Sequence, residues 1–213
     1  MEFDVARHIA AITRQVVDCE RDGKPARTVV AGRSFDTHID DAWDAITSAE
    51  RIPRWLSPVT GDLRLGGRYQ IEGNAGGTIE QCDPPRRLAL TWEFGGNTPW
   101  VVVTLEKEAG GTTRLELRHT ALVESEAEKF WDQFGPGAVG VGWDLSLVGL
   151  AEHVERGWDK PPETETEWVK SDNYKAFVNA SSIAWRDASV AYGTDSEAAT
   201  EAGARTTAFF TGG

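Results

Sequence analysis

The sequence lacks the features that mark a membrane-spanning, secreted or nucleic-acid-binding protein. No apolar run approaches the roughly 20 residues that a spanning helix needs, and residues 1–4 lack the basic start and apolar centre of a secretory signal. The 22 basic residues are outnumbered by 34 acidic ones, and the net charge of -12 opposes contact with phosphate backbones and anionic membranes. We therefore expect a soluble cytoplasmic protein with neither nucleic acid nor membrane as a partner.

Residues that would bind a metal or a nucleotide are also scarce. Cys19 and Cys82 are far apart and form no CxxC or Cys/His ligand spacing, so both are expected to be reduced structural thiols. The histidines do not occur at metal-ligand spacing. The glycine-rich run 135–142 lacks the Gly-Lys-Ser/Thr ending of a phosphate-binding loop and does not follow a predicted strand. We expect no metal and no other cofactor.

Aromatic residues, in contrast, are plentiful, with nine Trp and eight Phe. The most informative stretch, residues 86–94, follows the breaker pair Pro84-Pro85 and alternates strictly between apolar and other residues. One face of this predicted strand carries Leu88, Leu90, Trp92 and Phe94. Such a face needs a deep apolar surface opposite it, and the long helix predicted from about residue 138 to residue 155 provides one.

Glycine and proline divide the rest of the chain into short elements. A helix is predicted over residues 4–12, and the pair Asp22-Gly23 between two β-branched runs predicts a hairpin. Two short helices are predicted within residues 40–55, and further strands at 62–65, 68–72, 78–82, 87–94, 100–107 and 113–122. Short connections favour an antiparallel meander. The sequence therefore predicts an α+β fold, with a sheet of about seven strands followed by a long helix.

Several motifs occur in a characteristic order along these elements: the segment 35–55, Leu65 to Tyr69, Pro84 to Leu88 with Trp92, Thr113 to His119, and Gly142-Trp143. In this order and spacing the chain resembles the START-like (SRPBCC) superfamily over roughly residues 27–155. Within it, the chain is most similar to the branch named after the activator of the heat-shock protein 90 ATPase. The resemblance implies a helix-grip (Bet v 1-like) fold, in which a curved antiparallel sheet wraps a long C-terminal helix and encloses a hydrophobic cavity.

The residues themselves also favour an internal binding site. Leu115, Leu117 and His119 share one predicted strand face, while the long helix carries an apolar stripe that includes Trp143 and Leu147. Aromatic walls with a few polar groups are typical of small-molecule sites. The candidate ligand-binding residues are Trp55, Tyr69, Trp92, Phe94, Trp100, His119, Phe130, Phe134, Trp143 and Leu147. The alternative for each of them is a place in an ordinary core.

Three glycines in the long helix need an explanation, because glycine in a helix costs up to about 1 kcal/mol relative to alanine. Gly140, Gly142 and Gly149 lie within or beside the apolar stripe. They would be accounted for by close approach of the helix to the sheet, or by room left for a ligand.

Three classes of function remain open. The first is a carrier or sensor that binds a small hydrophobic or aromatic ligand. The second is a cyclase- or hydrolase-type enzyme in which His119 acts on a bound ring compound, and the third is a chaperone partner of the heat-shock protein 90 ATPase activator type. No Gly-x-Ser-x-Gly elbow is present and neither cysteine has a partnered histidine. Ligand binding is therefore the preferred hypothesis, while catalytic residues and enzymatic activity stay unassigned.

The composition changes beyond Gly157. Residues 161–167 are predicted to be a stiff acidic linker, and the stretches 168–192 and 194–210 predict a helical hairpin. The predicted organisation is an N-terminal helix and hairpin strand at 1–26, a helix-grip domain at 27–157, and the linker with its helical extension at 158–213. The two helices of the extension must cover their apolar faces on the domain, on each other or on a second chain, as in a homodimer.

Overall fold

The computed structural model describes residues 3–123, 125–160 and 164–213, and within these ranges the chain forms eight strands and seven α-helices. The strands are β1 (Ile12–Arg21), β2 (Lys24–Phe35), β3 (Val59–Gly61), β4 (Arg68–Ile71), β5 (Gly76–Asp83), β6 (Arg87–Thr91), β7 (Trp100–Lys107) and β8 (Thr113–Leu122). The helices are α1 (Val5–Ala10), α2 (Ile39–Thr47), α3 (Ser125–Phe134), α4 (Gly137–Arg156), α5 (Thr164–Lys170), α6 (Asp172–Tyr192) and α7 (Ser196–Thr211).

The strands form one sheet in the order β1-β2-β8-β7-β6-β5-β4-β3. From β3 to β8, each strand is antiparallel to its neighbour in the sheet. The predicted α+β class is confirmed. The sheet exceeds the expected seven strands because the hairpin at Asp22-Gly23 supplies two of them. Both turn residues have positive φ, 53° and 75°, which is the backbone conformation that a type I′ turn requires.

Two strand predictions need correction. Residues 62–65 lie outside the strands, and the edge strand is β3, whose Val59 pairs with Ile71. Strand β6 ends at Thr91, three residues before the predicted end. Phe94 instead joins Asn97 across a tight turn in which two glycines have positive φ. Its side chain is 60% exposed, so its predicted place on the inward face is wrong.

The chain divides into two compact units. The described residues of 1–31, 122–145 and 161–213 form what we call the helical unit, and residues 32–121 and 146–160 form the sheet unit. Helix α4 is continuous and contributes its first part to the helical unit and its second part to the sheet unit. The domain borders predicted at residues 26 and 157 stay a prediction.

The C-terminal helices form the core of the helical unit. Helix α6 packs against β1 and α1, and α7 packs against α6 and α3. Phe177, Val178 and Trp185 on α6 are completely buried. The predicted helical hairpin is therefore present and covers its apolar face within its own chain, although Phe209 is 59% exposed. Pairing of two copies through these helices stays a prediction.

Part of the predicted linker is helical. Residues 164–167 open α5, while residues 161–163 of the predicted stiff linker lie outside the described ranges. Ser171 then separates α5 from α6 and caps α6, because its side chain accepts a hydrogen bond from the Tyr174 backbone N–H.

A buried carboxylate connects three elements of the helical unit. Asp144 Oδ2 on α4 accepts hydrogen bonds from Arg14 Nε at 2.8 Å, from Ser181 Oγ at 2.5 Å and from Trp185 Nε1 at 3.2 Å. Asp144, Ser181 and Trp185 have no exposed surface, and the Arg14 side chain is almost buried. We call these four residues the Asp144 cluster.

Close packing explains two of the three helix glycines. A Cβ at Gly140 would collide with the Trp185 ring inside the helical unit. A Cβ at Gly149 would lie 2.5 Å from the Trp55 carbonyl oxygen inside the sheet unit. The close approach at Gly149 is therefore to the backbone of a loop, whereas the sequence predicted an approach to the sheet. A Cβ at Gly142 would meet nothing within 4 Å, so packing gives no reason for this glycine.

Candidate functional site

The sheet unit presents one apolar face, which we call the inner face. Strand register places His119, Val101, Leu90 and Ile79 in a single row across β8, β7, β6 and β5. Directly paired residues of antiparallel strands share a face of the sheet, and alternate residues along each strand do so too. In β8 the inner residues Thr113, Leu115, Leu117 and His119 are all buried, and the sequence predicted this face for Leu115, Leu117 and His119.

Tyr69 and Trp92 form the aromatic part of the inner face. Tyr69 is buried with Ile71, Ile79 and Leu88, and Trp92 packs on this cluster while remaining partly accessible. The two ring centroids are 6.5 Å apart. Tyr69 Oη donates a hydrogen bond of 2.7 Å to the Thr91 carbonyl oxygen. Burial raises the pKa of Tyr69, so the phenol stays neutral and its orientation is fixed.

Apolar surface remains accessible in the middle of this face. Leu90 is only partly buried, although both of its paired neighbours, Ile79 and Val101, are buried. Val103 is likewise partly accessible between the buried residues Leu88 and Leu117. Apolar residues at the centre of a sheet are normally excluded from water. The middle of the inner face therefore has accessible apolar surface.

His119 is the polar group at one end of the central row. Burial lowers its pKa to about 4, because the charged imidazolium would lose its hydration among apolar neighbours. The ring is consequently neutral near pH 7. A neutral ring with such a low pKa is a weak proton acceptor.

Four other predicted site residues belong to the sheet unit. Trp100 pairs with Thr120 and Thr91, which puts it on the face opposite His119, so its predicted place with the inward set is wrong. Leu147 on α4 is buried. Trp55 lies off the sheet and donates a hydrogen bond of 2.9 Å from Nε1 to the Ala45 carbonyl oxygen. Exposed Phe94 lies at the turn beyond β6.

Three further predicted residues belong to the helical unit. The Phe130 and Phe134 ring centroids are 5.0 Å apart, and Phe134 also contacts Phe209 at 5.4 Å. Trp143 lies in the first part of α4 and is partly buried. Of the predicted set, Tyr69, Trp92 and His119 therefore lie on the inner face of the sheet.

A short segment covers part of the cluster formed by Tyr69 and its neighbours. Residues 51–56, which we call the strap, include the 3-10 turn Ile52–Arg54, and Leu56 at the end of the strap packs on the cluster. Lys160 fastens the strap through its backbone N–H to Arg54 O at 2.7 Å and through Nζ to Leu56 O at 3.0 Å. The position of Leu56 thus depends on contacts outside the sheet.

A polar network holds the first residue of the strap. Arg51 Nη1 lies 2.6 Å from Asp41 Oδ1 and 3.2 Å from Asp44 Oδ2. Its Nε donates to His153 Nε2 at 3.1 Å, and His153 Nδ1 lies 2.9 Å from Asp159 Oδ1. Burial acts to raise the pKa of Asp41, but the hydrogen bonds from Thr37 and Arg51 and the nearby positive charge together lower it on balance. Local sequence patterns do not reveal this network, because Arg51 and His153 are 102 residues apart.

Metal-binding groups and membrane-spanning helices were not expected from the sequence. Among the described residues, no group of three or more His, Cys, Asp or Glu side chains is arranged to hold a metal ion. In the same part of the chain, no single helix combines the length and the apolar composition for crossing a membrane. Residues 128–134 and α4 are long and apolar enough only when they are taken as a pair, and the two helices are bent by 74° relative to each other.

A sheet with one accessible apolar face, in this strand order and with a long helix after β8, defines a helix-grip protein of the START-like superfamily. The sequence profile of the family described as Activator of Hsp90 ATPase homolog 1-like protein matches residues 36–155. The chain belongs to this family, which confirms the resemblance found in the sequence.

Solved structures support the assignment. CalU16 from Micromonospora echinospora is similar in its crystal structure at 32% identity and a TM-score of 0.65, with 84% of this chain and 98% of CalU16 covered. Its solution NMR structure gives 29% identity, a TM-score of 0.69 and coverage of 86% and 97%. Protein MLL2253 from Mesorhizobium loti, at 21% identity, a TM-score of 0.53 and coverage of 61% and 98%, shares the fold. No functionally curated protein matches.

Proposed function

We propose that this protein binds a small hydrophobic or aromatic molecule on the inner face of its sheet and acts as a carrier or sensor of that molecule. The observation that carries the proposal is the accessible apolar surface at Leu90 and Val103, in the middle of a face whose neighbouring residues are buried. A bound apolar molecule would remove this surface from water, which is favourable by about 25 cal/mol per Å².

The polar groups of the face determine which molecules fit. Tyr69 uses its hydroxyl hydrogen within the protein, and the His119 ring is uncharged near pH 7. The chain as a whole carries a net charge of -12, which opposes anionic ligands. A neutral molecule with one or more rings suits this face best.

Enzymatic turnover receives less support than binding. A general acid or base works best with a pKa near the operating pH, whereas burial moves the pKa of His119 to about 4. The hydroxyl of Tyr69 is engaged with the Thr91 carbonyl. Neither group is well suited to transferring protons.

A chaperone-partner role is the second candidate, and it rests on the family to which residues 36–155 belong. Capture of heat-shock protein 90 by the full chain, with stimulation of its ATPase, would favour this role. A full chain that neither binds the chaperone nor changes its ATPase rate would leave small-molecule binding as the function.

Fluorescence titration with N-phenyl-1-naphthylamine, a neutral aromatic dye, tests the binding proposal. We expect the wild-type chain to bind the dye and Trp92→Leu to weaken binding by about tenfold, because the loss of an aromatic contact and its buried area costs about 1.4 kcal/mol. Trp100→Leu is the matched control, since Trp100 pairs with Thr91 but lies on the opposite face.

Two results of this titration would count against the inner face as the binding site. Equal weakening by Trp92→Leu and Trp100→Leu, with both variants folded, would show that the dye binds elsewhere. Absence of dye binding to the wild-type chain would contradict the proposal itself.

A further inference from the structure

The buried ion pair between Arg14 and Asp144 leaves one polar atom unpaired on each side. Arg14 Nη2 and Asp144 Oδ1 are both buried, and neither has a hydrogen-bond partner among the described residues. The two atoms therefore do not bond to each other, although a guanidinium and a carboxylate often meet through two parallel hydrogen bonds. Buried polar atoms without a partner are rare in native proteins, so this arrangement needs a physical explanation.

Bonds to the backbone fix the plane of the Arg14 guanidinium. Its Nη1 donates to the carbonyl oxygens of Ile9 and Ile12, at 3.2 Å and 2.9 Å. Its Nε donates to Asp144 Oδ2 at 2.8 Å. Because the N–H groups of a guanidinium form one rigid planar fork, these three bonds also set the direction in which Nη2 points. A rotation that brought Nη2 onto Asp144 Oδ1 would break the bonds to the backbone.

The Asp144 carboxylate is held in place by its other oxygen. Besides Arg14, Ser181 Oγ and Trp185 Nε1 of α6 donate to Oδ2, at 2.5 Å and 3.2 Å. The Trp185 ring cannot follow a turning carboxylate, because it lies directly against Gly140 of α4. Rotation of the carboxylate toward Arg14 would therefore withdraw Oδ2 from its donors. Oδ1 stays apart from Nη2, and a molecule from the solvent can pair with both.

We propose that the Asp144 cluster is a binding site for one ordered water molecule, which accepts a hydrogen bond from Arg14 Nη2 and donates one to Asp144 Oδ1. The occupant must accept and donate at once, because the two unpaired atoms are a cationic donor and an anionic acceptor. Arg14 repels a bound cation, and Asp144 repels a bound anion. Water meets the requirement, and buried waters typically bond to polar groups that the protein itself leaves unpaired.

The water site is independent of the ligand proposed for the inner face. All four residues of the Asp144 cluster belong to the helical unit, whereas the inner face belongs to the sheet unit. The bound water completes the connection between β1 and α4, and the donors on α6 complete the connection to the C-terminal helices. Failure of either proposal therefore leaves the other standing.

Water–protein Overhauser measurements by NMR on the full chain test the site directly. The Arg14 Nε–H group is next to Nη2 on the guanidinium, so its resonance should give a cross-peak to water with the sign of a molecule that tumbles with the protein. Arg205 is the control, because its Nε donates to Gln133 O at an exposed position and should show only short-lived hydration. Absence of a bound-water cross-peak at Arg14 would overturn the proposal.

A variant excludes a relayed signal in this measurement. The Ser181 hydroxyl exchanges its hydrogen with the solvent and lies on the same carboxylate oxygen as Arg14 Nε. Ser181→Ala should keep the water cross-peak at Arg14. Loss of the cross-peak in this variant would show that the signal came from the hydroxyl and would contradict the water site.

Magnetic relaxation dispersion of the solvent counts the long-lived waters of the whole chain. Arg14→Met combined with Asp144→Leu removes both unpaired atoms and replaces a buried ion pair by apolar groups, a change that proteins often tolerate. We expect this double variant to lose the dispersion of one water molecule. The same two changes at the accessible ion pair of α6, Arg186→Met with Asp187→Leu, should lose none. Equal dispersion in the folded Asp144 double variant and the wild-type chain would contradict the proposal.

A crystal structure of the full chain separates the water from direct ion pairing, and it decides the question if the double variant does not fold. It should show one water about 2.7–3.2 Å from both Arg14 Nη2 and Asp144 Oδ1. A carboxylate turned so that Nη2 and Oδ1 bond directly to each other would overturn the proposal.

Discussion

Trp185→Ala should lower the free energy of unfolding by about 3–5 kcal/mol, the usual range for truncation of a completely buried Trp. The ring has no exposed surface, lies against the backbone of Gly140 and donates a hydrogen bond to Asp144. Its loss leaves a cavity and removes one donor from a buried carboxylate. Denaturant unfolding followed by circular dichroism measures the change, and Ile183→Ala, at an exposed position of the same helix, should cost far less.

A double-mutant cycle makes this prediction more stringent. Gly140→Ala alone should be strongly destabilising, because the new Cβ collides with the Trp185 ring. In the Trp185→Ala background the same Cβ would enter the cavity, so the combined cost should be well below the sum of the two single costs. Additive costs would show that the ring and the helix do not pack as described.

Asp144→Ala should be comparably destabilising, by about 3–5 kcal/mol, because removal of one partner leaves the other buried charge uncompensated. Arg14 donates to Asp144 at 2.8 Å and its side chain is only 7% exposed. Asp187→Ala is the control, since Asp187 is an exposed acid on α6 and its ion pair with Arg186 is worth little. Equal unfolding midpoints for the two variants would contradict the burial of the Asp144 cluster.

The pH dependence of Asp144→Asn gives an independent check. Burial raises the pKa of Asp144 to about 6, and this effect outweighs the opposite influence of Arg14, Ser181 and Trp185. The carboxyl of an aspartate in the unfolded chain titrates near about 3.9. The stabilisation from the bound proton is therefore complete below about pH 4 and is lost as the pH rises to about 6. Relative to Asp144→Asn, wild-type stability should fall by about 3 kcal/mol over this range and stay level above it.

Local patterns predicted the elements well. The alternation from Thr113 to His119 identified the inner face of β8, and the helix predicted over 138–155 corresponds to α4 at Gly137–Arg156. The Asp22-Gly23 pair identified the first hairpin because only a few residue types accept positive φ at both positions. Each of these signals depends on neighbouring residues alone.

Signals that depend on distant parts of the chain were missed. Trp100 is followed by Val101, Val102 and Val103, so the run has no alternation and only the pairing with Thr91 and Thr120 assigns its face. Asp144 interrupts an apolar helix, and its partner Arg14 is 130 residues away. The C-terminal helices were predicted to be an appendage, because an apolar helix stripe does not specify the surface on which it packs. In the structure, Trp185 of α6 is completely buried in the core of the helical unit.

The central claim is that a small apolar molecule binds the inner face, and amide chemical-shift mapping of the full chain tests it most directly. Naphthalene at increasing concentration should shift the amides of Tyr69, Leu90, Trp92 and Val101, which are brought together by the register of β4 to β7. Residues near Phe130 and Phe209 of the helical unit should be unaffected. Shifts confined to those exposed rings, or no shifts at saturation, would contradict the proposed function.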